Sequence, residues 1–152
     1  MTADRGRAAV YDAETFAFSG SWLDTPVGRA EAQALAQRVV ASPAWRRLGG
    51  PAVTFTPARG AASFCRAGTE IGFSDPVLVS TVTHELAHAV TAARHPGARA
   101  HGPTWRGWSV LLVEVTFGPD AATALSDAFR TYGLAVTLPR FEWTGAPIIG
   151  LR

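Results

Sequence analysis

SDPVLVSTVTHELAHAVTAARHPGARAHGPTW, residues 74–105, decides how the rest of the chain is read. Ser74-Asp75-Pro76 has the form of a helix start, a capping side chain followed by proline at the first helical position. His95-Pro96-Gly97 has the form of a stop, so the spacing predicts a helix over Pro76–Arg94. With Val82 at zero on a helical wheel, Val79, Leu86, Ala89, Val90 and Ala93 fall within roughly 80° of it at ~100° per residue. His84 and His88 fall nearly opposite, beside Ser80, Ala87 and Thr91. One side of this helix is therefore a core seam, and the other carries histidines past small or polar neighbours. Gly102-Pro103 opens a second helix, running to Phe117 with Trp105, Trp108, Leu111, Leu112 and Val115 on its apolar stripe.

Working outward, the period changes from helical to alternating on the N-terminal side. Ala52–Thr56, Ala62–Arg66 and Thr69–Phe73 are short, rich in β-formers and separated by Pro57–Gly60 and Ala67-Gly68, which predicts a three-stranded antiparallel meander. Thr69–Phe73 is placed to flank a cleft beside the helix, although Ile71 and Phe73 are better explained as core. Before the meander, Arg29–Ala41 reads as a helix stopped by Ser42-Pro43, with one more turn over Ala44–Leu48. Val10–Phe18 reads as a short strand or extended arm, and residues 1–7 as a loose tail. On the C-terminal side, Gly118-Pro119-Asp120 breaks the chain before a helix over Ala121–Tyr132, and Leu134–Leu138 reads as a strand. The tail PRFEWTGAPIIGLR carries Phe141, Trp143 and two isoleucines, enough apolar surface to dock on the body. The expected fold class is α+β: one domain over residues 1–152, a small antiparallel sheet packed on the 76–94 helix and the helices after it.

The chemistry sits in His84-Glu85-Leu86-Ala87-His88, an HExxH. Residues four apart on a helix share a face with Cβ atoms about 5–6 Å apart, so two such imidazoles can reach one zinc ion at about 2.0–2.1 Å. The glutamate between them lies where a general base is needed for the water on the metal. The rival explanation is a pair of core or surface histidines that match by chance. A catalytic zinc takes three protein ligands and keeps a position open, and the chain has only four histidines from which to draw the third. His95 follows the helix and precedes a proline, which suits a surface or capping role. His101, in His101-Gly102-Pro103-Thr104-Trp105, stands where a short loop returns the chain to the metal. Glu114, the one carboxylate of the following helix, is the second candidate. Asp120 and Asp127 read as caps or solvated surface. Tyr11, Arg106 and Tyr132 are candidate donors to an oxyanion. Trp105 and Trp108 read as packing residues.

HELAH followed after a loop by HGPTW resembles the SprT-like zincin metallopeptidases, whose pattern is HExxH and then a histidine in HGxxF/W. The wider run from RVVASPAWRRLGGPAVTF to the HGPTW helix is similar to a small actinobacterial family described only as metallohydrolases, over roughly residues 8–138. The resemblance implies a zincin-like domain with zinc on His84, His88 and His101 and with Glu85 as catalytic base. It departs from the family at the cysteine zinc ribbon of SprT proteins, which a chain with one cysteine cannot build. The DNA-linked repair role of those proteins is not carried over.

Bulk properties narrow the field. The single cysteine, Cys65, excludes an internal disulfide and reads as a buried, inert thiol. All 14 basic residues are arginine and the net charge is +2, with the arginines scattered, so no nucleic-acid footprint is visible. No apolar run reaches bilayer length and no signal peptide opens the chain, which points to a cytoplasmic protein. Nothing in the sequence specifies an oligomeric state. The expected activity is that of a zinc metallopeptidase or amide hydrolase on a protein or peptide, with Glu85 activating water for attack on a carbonyl. The alternative is a zinc-bound binding or regulatory module without turnover.

Overall fold

Helices dominate the chain in its computed structural model, which describes residue 4 and residues 6–152. Helix α1 (Arg7–Phe18) occupies the stretch expected to be extended. Its buried residues, Val10, Ala13, Glu14 and Phe18, recur at helical spacing. Tyr11 and Phe16 lie outside that stripe and are exposed. The loose tail expected over residues 1–7 lies outside the described residues at 1–3 and 5. It is corrected further on: Asp4 is hydrogen-bonded to His101, and the Gly6 carbonyl accepts from Val10 N–H at 2.9 Å.

Strand β1 (Pro26–Val27) follows, then α2 (Arg29–Val40) and α3 (Pro43–Arg47). Ser42 caps α3, its Oγ accepting from Trp45 N–H at 3.2 Å ahead of proline at the first helical position. Strands β2 (Thr54–Phe55), β3 (Phe64–Arg66) and β4 (Glu70–Gly72) form a sheet in the order β2-β4-β3. It is not the expected meander, because β2 runs parallel to β4 and only β3 and β4 are antiparallel. Ala67 and Gly68 both hold left-handed φ values, 53° and 72°, in the tight turn that Thr69 N–H closes on the Arg66 carbonyl at 3.2 Å. The longer link from Phe55 to Phe64 makes no such turn and lets β4 slip between the other two. Consequently Thr69–Phe73 flanks no cleft as an edge; β3 holds that place. Ile71 and Phe73 are core residues.

The helix expected from Pro76 begins five residues later. Ser74 does not cap it: its Oγ donates to the Pro76 carbonyl at 3.0 Å. Val77–Leu78 forms β5, antiparallel to β1, and the amides of Val79 and Ser80 reach the carbonyls of Thr25 and Leu23. Helix α4 then spans Thr81–Arg94. Val82, Leu86, Ala89 and Val90 fill its core seam, whereas Ala93 is exposed. Helices α5 (Pro103–Phe117) and α6 (Pro119–Thr131) meet at Gly118, whose φ of 115° makes the corner.

Helix α5 packs between α4 and α6, α1 packs on α6 and α2 on α4, enclosing one core that includes Phe73, Leu86, Trp105, Leu112, Leu125 and Phe129. The fold is α+β. Leu134–Leu138 is not a strand; it crosses α5 as irregular chain, Thr137 N–H bonding the Pro103 carbonyl. A methyl at Gly107 would collide with the Thr137 carbonyl in that crossing. Gly107→Ala is therefore expected to destabilise the protein by ~1–3 kcal/mol, the usual penalty for overpacking, read from a denaturant midpoint. The tail docks as expected: Ile148 and Ile149 donate to the carbonyls of Val115 and Thr116 at 2.9 Å each, satisfying groups that the end of α5 leaves free. Among the described residues no helix is long and apolar enough to cross a membrane.

Candidate metal centre

His84 and His88 lie one turn apart on α4, on the side turned from its core seam, and the loop after α4 brings His101 back to them. The three Nε2 atoms converge: His101 stands 3.2 Å from His84 and 3.1 Å from His88. Trp105, one turn into α5, is fully buried beneath them, its ring centroid 4.8 Å from those of His84 and His101 and 5.0 Å from that of His88. The tryptophan of HGPTW thus packs the helix, as expected, and is also the floor of the histidine cluster.

Outside the cluster two carboxylates take the far ring nitrogens. Glu14 from α1 faces Nδ1 of His84 with both oxygens, at 2.9 and 3.0 Å, and Asp4 faces Nδ1 of His101 at 2.5 Å. A carboxylate accepts, so each Nδ1 carries the proton and each neutral ring turns a lone pair on Nε2 toward the others. Lone pairs facing at 3.1–3.2 Å cannot hydrogen-bond one another. A tetrahedral ion bound at about 2.0–2.1 Å holds its nitrogen donors about 3.3 Å apart, close to what is observed. The donor set fits a metal ion, and His84, His88 and His101 could hold one.

Local electrostatics agree with that use. Burial, followed by the charges of His84 and His101, pushes the His88 pKa down to about 2, so this ring is a neutral donor. Burial also lowers His101, against the pull of Asp4. At His84 burial disfavours the charge, but Glu14 outweighs it and the net shift is upward. Of the three rings, only His84 has its proton affinity raised, and a cation binding there competes with that proton.

His101 holds its place at a backbone cost. Its φ is 58°, a left-handed conformation uncommon for a residue with a side chain. Arg106 secures it, Nη1 donating to the His101 carbonyl at 2.8 Å and Nε to the Ala135 carbonyl at 2.7 Å. Arg106 is consumed by these bonds and does not line the cleft beside Glu85, so it is not an oxyanion donor.

Glu85 lies beside His84 on the wall of a cleft of about 380 Å³, with Tyr11, Arg7 and Ser63 among its other walls. Burial pushes its carboxyl up to about 7, against the opposing pull of His84. Tyr11 stacks on His84, centroids 5.1 Å apart and planes 15° apart. Tyr132 sits elsewhere, edge-on to Phe16. A second hollow of about 250 Å³ opens on the other side, past His88, Cys65 and His95. His95 is exposed and outside the histidine group, and Glu114 is outside it too. Asp120 stands in the first turn of α6 and Asp127 pairs with Arg130, as surface residues do. Cys65 is half-buried, its thiol pushed up to about 12 by burial and then by Glu85, which keeps it inert at neutral pH.

Sequence reasoning missed Glu14 and Asp4. A signal for Glu14 existed: it is the one charged residue in the Val10, Ala13, Phe18 stripe, and a carboxylate there needs a partner. Asp4 carried none. No protein-family model matches this chain, and no curated protein or solved structure is significantly similar to it.

Proposed function

We propose that this chain is a zinc-dependent metallopeptidase or related amide hydrolase, of the zincin kind that HELAH and HGPTW resemble. One observation carries the reading: three imidazole Nε2 atoms converge beside a carboxylate, Glu85, that stands on the wall of an open cleft. Three histidines are a usual donor set for catalytic zinc, which leaves a fourth position for water or substrate. Bound there, zinc would supply Lewis acidity, polarising water and a carbonyl group. Glu85 takes the proton from the attacking water and later delivers it to the leaving amine. Its raised pKa suits it to carry that proton between the two steps. Tyr11, in the same wall, is the phenol best placed to donate to the oxygen that becomes negative.

A peptide is the favoured substrate because β3 is an outer strand. Residues 61–63, just before it, line the cleft at Glu85, and Cys65 within it lines the hollow past His88. A peptide pairing with the free side of β3 would run past both.

Protein purified without a histidine tag should contain one zinc per chain and cleave members of an unbiased peptide library. A chelator should abolish cleavage and zinc should restore it. Cleavage that survives complete chelation would reject the proposal; stoichiometric zinc without cleavage would point to a binding module.

A further inference from the structure

Two of the three imidazoles are held from behind by carboxylates of the N-terminal segment, which no motif marks. Glu14 is buried, and both of its oxygens approach the same nitrogen, Nδ1 of His84, at 2.9 and 3.0 Å. That geometry fixes the plane of the ring as well as its tautomer. Asp4 holds Nδ1 of His101 with a single oxygen and from a more exposed position: its side chain is 29% exposed against 11% for Glu14. His101 also needs the help more, since its backbone is left-handed and its loop is fixed chiefly through its carbonyl bond to Arg106.

Charge gives a second reason. A divalent cation among three neutral rings leaves two positive charges in a buried place, which is costly unless compensated. Glu14 and Asp4 supply two negative charges across the rings. Glu85 is then not drawn into compensating the ion.

We propose that Glu14 and Asp4 are the positioning residues of the metal centre, so that the segment from Asp4 through α1 sets the affinity of a site whose ligands all lie elsewhere. This rests on the metal-site reading above. Neither residue belongs to the converging donor group, although Glu14 also reaches the wall of the cleft. Each acts through its histidine, by orienting the ring, keeping the proton on Nδ1 and raising the basicity of Nε2.

Zinc affinity of the full-length chain, measured by competition with a chromophoric chelator, tests this. Losing such an outer partner usually weakens a metal site about 10–100-fold. Glu14→Ala is expected to fall in that range. Glu14→Gln should lose less, because an amide oxygen still accepts from Nδ1–H. Asp4→Ala, at an exposed position, should weaken binding about tenfold while the far-ultraviolet circular dichroism stays unchanged. Asp12→Ala, on the exposed side of α1, should change nothing. The visible spectrum of the cobalt-substituted protein should shift in Glu14→Ala and Asp4→Ala but not in Asp12→Ala, which a merely structural role for α1 would not produce. Should Glu14→Ala fail to fold, Asp4→Ala and Glu14→Gln decide. Affinities within twofold of the parent in those variants, with an unchanged cobalt spectrum, would overturn the inference and leave the metal site standing. A parent chain that takes up no metal would instead sink the reading on which it rests.

Discussion

Alanine at His84, His88 or His101 is expected to abolish stoichiometric zinc, while His95→Ala retains it. The first three side chains aim Nε2 at one point, with gaps of 3.1 and 3.2 Å across the pairs that include His101. Removing any of them would leave two donors, too few for the proposed three-histidine zinc site. The loss should exceed the hundredfold typical of an outer-shell change. His101→Ala is the most discriminating of the three, because a pair of histidines four apart on a helix can bind metal weakly by itself. Zinc should also raise the melting temperature of the parent and of His95→Ala, since a ligand that binds only the folded state stabilises it. Measured by metal analysis and thermal scans, retention of full zinc by His101→Ala would leave the convergent site without support.

Glu85→Gln should keep the zinc and lose about 10²–10⁴ in turnover, the usual contribution of a positioned general base. Gln fills the same space and touches the same wall, so the change isolates proton transfer. The substitution has a second, opposite effect that serves as its control. In the metal-free protein burial raises the Glu85 pKa from 4.5 to about 7. A carboxyl whose folded pKa is raised binds its proton more tightly when folded, so its contribution is full below about pH 4.5 and is lost as pH rises through about 7. Metal-free Glu85→Gln should therefore melt above the parent at pH 8 and alongside it near pH 4.5. A variant that loses activity and also melts lower at pH 8 would mean damaged folding in place of a missing base.

Much of this site is local, and the local part was legible. HExxH needs only one helical turn to define its geometry, and Gly102-Pro103 marks the start of α5 correctly, which returns His101 to the right place. The docked tail was legible too, from its aromatic and isoleucine content. What failed was non-local. Ser74-Asp75-Pro76 has the chemistry of a cap, yet Val77–Leu78 finds a strand partner in Pro26–Val27, about fifty residues away. The three short strands announce a sheet, but their order depends on where the 56–63 link lands. Val10–Phe18 reads as extended, while the spacing of its buried residues is helical. Asp4 reaches His101 across 97 positions, a distance over which periodicity carries no information.

The parts of this centre are drawn from well-separated stretches, at 4–14, 84–88 and 101, and an unfolded chain holds only the pair on α4 in register. A cation seated there would act as a removable staple. It would tie the first helix, the middle of the chain and the start of α5 to one point, and so couple the last docking steps of folding to metal uptake. Such a protein ought to mature in a single concerted step and to be cleared quickly wherever the ion is scarce.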